Sequence, residues 1–144
     1  MIDWLWMAAP LIIVAASALR LAKFNTDTRQ TVNFLGLPTP ANAIIWAGFG
    51  LMTTWSGNEP LMVLLFTPSN LLIYAVITSA LLVSEIPMFS LKFHGLDIYS
   101  NWHRYVFLAS ALLLILFTGI YAPALIILLY ISLSVSFYLL KVRI

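Results

Sequence analysis

The sequence predicts an all-α fold: a polytopic transmembrane helix bundle of about five spans, with its N-terminus outside and its C-terminus in the cytoplasm. Three observations carry that expectation. Of 144 residues, 62% are hydrophobic and only 8% are charged, whereas a water-soluble domain carries about a quarter charged residues. The mean hydropathy is +1.02, and the apolar residues fall into long runs with short polar connections. All seven Lys and Arg fall at alternate connections, which gives the runs a direction. Soluble globular, disordered and fibrous classes are excluded, and the length leaves no room for a soluble domain beside five spans of roughly 20 residues each.

The first span is expected from Trp4 to about Leu21 or Ala22. It is too long for a signal-peptide core, and Asp3 is its only upstream charge. After the polar stretch from Lys23 to Pro40, a second and shorter span runs from about Ala41 to Trp55, opened by Thr39 as a cap and Pro40 in the first turn. Leu61 to Phe66 is apolar but too short to cross. Thr67-Pro68 repeats the cap-and-proline start, and the third span is expected to reach about Phe89. A polar connection from Ser90 to about His103 leads to a fourth span, Arg104 to Tyr121. Pro123 opens the fifth, which ends near Leu140. Five crossings place Arg20, Lys23, Arg29, Lys92, Arg104, Lys141 and Arg143 on one side and Asp3 and Glu59 on the other. The positive-inside rule makes the basic side cytoplasmic. An outside start would be natural for a chain preceded by an odd number of spans.

Polar residues in such a chain need a reason. Arg20 and Lys23 are three apart and share a helix face. With Asn25 and the helix start at Thr39-Pro40 they form a candidate phosphate or carboxylate site at the membrane surface; the alternative is a set of snorkelling topology anchors. Glu85 is expected within the third span, with Asn70, Tyr74 and Thr78 on the same face. That stripe either lines a polar cavity or packs between helices, with Glu85 reaching the interface or pairing with Lys92 or Arg20. His94 and His103 lack metal-binding spacing and read as interfacial histidines. The chain has no cysteine, which removes thiolate chemistry and Cys-based metal centres. Ser132, Ser134 and Ser136 read as small packing positions. No phosphate loop or nucleic-acid motif is present, so nucleic acid is not an expected partner.

Three blocks carry a resemblance. They are Ser17-Ala18-Leu19-Arg20-Leu21-Ala22-Lys23-Phe24-Asn25, Phe34-Leu35-Gly36-Leu37-Pro38-Thr39-Pro40-Ala41-Asn42-Ala43, and Leu82-Val83-Ser84-Glu85-Ile86-Pro87-Met88-Phe89-Ser90-Leu91-Lys92. In this order the chain resembles the C-terminal part of the bacterial CDP-diacylglycerol:serine O-phosphatidyltransferases, the phosphatidylserine synthases of the CDP-alcohol phosphatidyltransferase family. The resemblance runs from the first span through the Lys92 region; the last two spans agree only in hydropathy. It implies an enzyme of the bacterial inner membrane with a cytoplasmic active face. There the serine hydroxyl attacks the β-phosphate of CDP-diacylglycerol to give phosphatidylserine and CMP. It also implies a divalent-metal cofactor, Mg²⁺ or Mn²⁺, held by a D-G-x2-A-R-x8-G-x3-D-x3-D motif.

That motif is absent. The only aspartates, Asp3, Asp27 and Asp97, are scattered and none precedes a glycine, so no metal is expected on this chain alone and no catalytic residue is assigned. The expectation is therefore a chain corresponding to the C-terminal portion of a synthase. Its substrate-binding candidates are Arg20, Lys23 and Asn25 for the serine carboxylate or a substrate phosphate, with Glu85 orienting a basic partner. Its partners would be CDP-diacylglycerol, L-serine, and the N-terminal part or a second copy of the chain. The competing expectation is a small non-catalytic subunit packed against another membrane protein.

Overall fold

A computed structural model describes residues 3–26, 34–91 and 97–141. The chain is mostly helical, in the order α1 (Asp3–Thr26), β1 (Phe34–Leu35), α2 (Thr39–Ser56), α3 (Pro60–Leu65), α4 (Pro68–Val83), β2 (Pro87–Met88), α5 (Ile98–Thr118) and α6 (Ala122–Leu139). Arg29, Lys92, His94 and Arg143, and with them several of the expected cytoplasmic charges, lie outside the described residues.

The helix starts follow local chemistry. At α4 the Thr67 hydroxyl accepts from the Asn70 N–H at 3.3 Å, and Pro68 occupies the first turn, satisfying one of the donors a helix leaves free at its start. At α2 the expected Thr39 cap is displaced by one residue. Pro38 holds the cap position and no side chain caps the turn. Gly119, with φ +53°, leaves the α-region and ends α5. A single 3₁₀ turn, Gly119–Tyr121, then leads into α6. Glycine adopts this left-handed conformation without the Cβ clash that other residues incur.

Two apolar helical stretches are long and apolar enough to cross a membrane, Trp6–Thr26 and Asn101–Leu139, with mean hydropathies of 1.6 and 2.6. The second consists of α5 and α6 folded into a hairpin at Gly119. The ring contacts Trp102 to Phe137 and Phe107 to Tyr130 pair early residues of one helix with late residues of the other. In the 18-residue window of each, only 11% and 17% is buried. Their outward faces carry side chains such as Met7, Leu11, Leu116 and Phe117, while Arg20, Asn42, Thr78, Asn101, His103 and Arg104 are buried.

The other helices pack around these. α1 lies against α4 and runs parallel to it, since Trp6 and Pro10 meet Pro68 and Leu72 at one end and Lys23 meets Glu85 at the other. α2 runs antiparallel to α4 through Trp46–Thr78 and Phe49–Tyr74. It approaches α6 closely at Gly48, where a Cβ would stand 2.8 Å from that of Ala124, and Ser56 bonds Tyr121 at 2.7 Å. The core cluster at the basic end gathers Leu37, Met88, Phe89, Phe107, Tyr130 and Phe137.

Three expectations need correction. The third span does not continue to Phe89. α4 stops at Val83 and Ser84 is extended, with φ −65° and ψ 163°. Pro87 accounts for part of this, because its ring disfavours helical backbone at Ile86. The fold is also not purely helical. Phe34 pairs with Met88 and Leu35 with Pro87 in a short antiparallel ladder. The expected start of the fourth span at Arg104 moves back to Ile98, so Arg104 lies in the second turn of α5.

Candidate functional site

The ladder builds a site at the end of the bundle where the chain's described basic residues gather. Arg20 stands on α1 one turn before the helix ends and is 4% exposed. Gly36 passes directly beneath it. A Cβ at Gly36 would lie 2.9 Å from Arg20 Nη1 and 2.5 Å from the Ser84 carbonyl oxygen, and the residue has φ +78°. Only glycine fits that space and that backbone conformation. The strand segment is fixed by Gly36 N–H donating to Ile86 at 2.8 Å and Leu37 N–H donating to Leu81 at 2.9 Å. The second of these also satisfies a carbonyl that α4 leaves free at its C-terminus.

Arg20 Nη1 is buried and has no hydrogen-bond partner among the described residues. Arg20 also lines a cavity of about 220 Å³ walled by Leu21 and Phe24 of α1, by Phe34, and by the turn Pro38–Pro40 that starts α2. A buried donor without an acceptor is costly. The cavity also receives the start of an 18-residue helix, whose first turn carries free N–H groups and the positive end of its dipole. Both features favour an anion with several acceptor oxygens, a phosphate or a carboxylate.

Around this centre the sequence-derived candidates separate. Lys23, one turn after Arg20, is tied to Glu85 by an ion pair, Nζ to Oε1 3.0 Å. Asn25 is exposed and does not join the cavity wall. Glu85 is not inside a span: it follows the end of α4 on the extended segment before β2 and is 60% exposed. Its basic partner is Lys23 rather than Arg20. Asn70, Tyr74 and Thr78 do share one face, but they serve as ties between helices. Asn70 Nδ2 donates to the Leu64 carbonyl at 2.9 Å, the Tyr74 hydroxyl to the Leu65 carbonyl at 3.2 Å, and Thr78 accepts from Trp46.

Two other polar side chains at this end, Arg104 and Tyr130, have partners among the described residues. Arg104 donates through Nε to the Ser90 carbonyl at 2.8 Å and through Nη1 to Asn101 Oδ1. The Tyr130 hydroxyl donates to the Phe89 carbonyl at 2.9 Å. His103 is buried among Phe89, Trp102 and Phe137, so it is a core residue rather than an interfacial one. Asn42, in the first turn of α2, is buried with Oδ1 unpartnered. The sequence reasoning passed over it, although an amide in the first turn of an apolar helix is itself a signal.

Among the described residues, no three His, Asp or Glu side chains come together as a metal site. The class of protein that fold and site define is a mostly helical, apolar bundle with a cavity at its basic end. No family model matches the chain, and neither the curated proteins nor the solved structures hold a match to it.

Proposed function

We propose that this chain is a multi-pass membrane protein that binds an anionic group of a lipid or of a small polar substrate in the Arg20 cavity at the cytoplasmic face of a bacterial inner membrane. The observation that carries the reading is the buried Arg20, whose Nη1 has no partner among the described residues, in one cavity wall with an uncapped helix start. The alternating directions of α1, α2, α4, α5 and α6 suit five crossings. Arg20, Lys23, Arg104 and Lys141 at one end, with Glu59 at the other, suit the positive-inside orientation.

Two of the three resembling sequence blocks line this cavity, Arg20, Leu21 and Phe24 from the first and Phe34 with Pro38 to Pro40 from the second, and the third lies beside it through the Ser84 carbonyl at Gly36. On that basis we assign the chain the substrate-binding role of a CDP-alcohol phosphatidyltransferase, acting on CDP-diacylglycerol and L-serine. Arg20 would engage a phosphate or the serine carboxylate. The metal-binding carboxylates that such chemistry uses would have to come from helices other than these.

The second reading, a non-catalytic subunit, is favoured by one observation, the lack of a carboxylate cluster among the described residues. Purified chain in lipid nanodiscs, given CDP-diacylglycerol, L-serine and Mg²⁺ or Mn²⁺, separates the two. The enzyme-part reading expects saturable CDP-diacylglycerol binding that Arg20→Met removes, and no CMP release by the chain alone. Absence of that binding supports the subunit, and robust CMP release would overturn the assignment of the metal site to other helices.

A further inference from the structure

The polar groups around the Arg20 cavity are few enough to count. Among its described lining residues Arg20 is the one charged side chain, Thr39 supplies the one hydroxyl, and the rest are Leu21, Phe24, Phe34, Pro38 and Pro40. Pro38 and Pro40 have no N–H, and the Asn42 N–H is taken by the Pro38 carbonyl at 3.1 Å. The start of α2 therefore leaves the N–H groups of Thr39 and Ala41 without an intrahelical acceptor. No carboxylate stands among these lining residues. We infer that the cavity takes the phosphodiester of a glycerophospholipid, entering sideways from the cytoplasmic leaflet, in preference to a free phosphate or a soluble amino acid.

Charge separates the candidate ligands. A phosphodiester carries one negative charge, which one guanidinium balances, and its two free oxygens suit the arginine donors and the N–H groups at the start of α2. A phosphate monoester carries about −1.5 to −2 near neutral pH. The lining holds no second cation for that excess, since Lys23 lies outside it, and an uncompensated charge against apolar walls is costly. A free amino acid brings an ammonium, for which the lining has no carboxylate. Position then sets the route of entry. Leu21 and Phe24 are 60% and 45% exposed, at the end of a helical stretch long and apolar enough to cross a membrane. The glycerol backbone and acyl chains that continue from a lipid phosphate have these side chains to lie against. A soluble anion gains nothing from them.

The inference rests on the reading of the Arg20 cavity as an anion site, and the experiment keeps the two apart. Full-length chain in maltoside detergent is titrated with dioleoyl phosphatidylglycerol, read by native mass spectrometry, and with radiolabelled phosphate and L-serine, read by equilibrium dialysis. Saturable phosphatidylglycerol binding is expected, with no displacement by excess phosphate or L-serine. Arg20→Gln should weaken it about tenfold to a hundredfold, the range a hydrogen bond to a charged group supplies, and Arg20→Lys should restore part of the loss. Phe24→Ser should weaken lipid binding as well. The displacement arm uses wild type alone, so it decides the matter whether or not Arg20→Gln folds. If phosphate or L-serine displaces the lipid at comparable concentration, or if Arg20→Gln removes their binding and spares that of the lipid, the cavity is a site for soluble anions and the lipid assignment fails. If Arg20→Gln and Arg20→Lys alter the binding of no probe, or no probe binds saturably, the anion reading fails with it.

Discussion

Two buried arginines stand at the same end of this bundle and are treated in opposite ways. Arg104, on α5, is 5% exposed and donates to a backbone carbonyl and to the Asn101 side chain. Arg20, on α1, is as well buried and lines a cavity, yet its Nη1 has no acceptor among the described residues. Burial of a cation is tolerated when its donors are matched, and Arg104 is a structural strut by that measure. The unmatched donor at Arg20 costs stability unless something outside the fold completes it. The contrast distinguishes a charge that holds the protein together from one that the protein holds in readiness.

The largest expected effect tests that distinction directly. Arg104→Met removes the donors to the Ser90 carbonyl and to Asn101 Oδ1, and should lower unfolding stability in detergent by about 3 kcal/mol. Arg20→Met should change it by no more than about 1 kcal/mol, or raise it, because an apolar side chain replaces an unsatisfied ion. Equal losses at both positions would erase the contrast. Next comes Gly36→Ala, which puts a methyl group against the Ser84 carbonyl in a left-handed backbone conformation. It should cost about 2 kcal/mol or more and also weaken phosphate binding, sharpening the link between the ladder and Arg20. Tyr130→Phe removes the tie to the Phe89 carbonyl and should cost about 1 kcal/mol by the same unfolding measurement. Smallest is the Lys23–Glu85 pair. A double-mutant cycle on stability should give a coupling below about 1 kcal/mol.

Much of the helical layout was legible because it depends on local chemistry. Apolar runs, the Thr67-Pro68 start and the Pro60 and Pro123 positions lie within a few residues of the helix boundaries they set. Arg20, Lys23 and Glu85 stood out as charges in an apolar chain. The ladder did not, because strands of two residues carry no alternation, and Phe34 meets Met88 only through the fold. Without it the sequence offers no reason beyond Pro87 to end α4 at Val83 or to place Glu85 outside a helix, and none to bury Arg20 while leaving Asn25 in the open. Lys23 as the partner of Glu85 was equally hidden, since that choice depends on α1 and α4 lying parallel.

The ladder also has a consequence for how the protein is made. Arg20 is synthesised well before Leu81, Ser84 and Ile86, whose carbonyls anchor Gly36 and Leu37 beneath it. At about 5–20 residues per second the nascent chain holds that guanidinium for several seconds without its floor. The cavity therefore cannot close until α4 has been made and has docked on α1, and ligand competence arises late, as a property of the assembled bundle rather than of the helix that carries the charge.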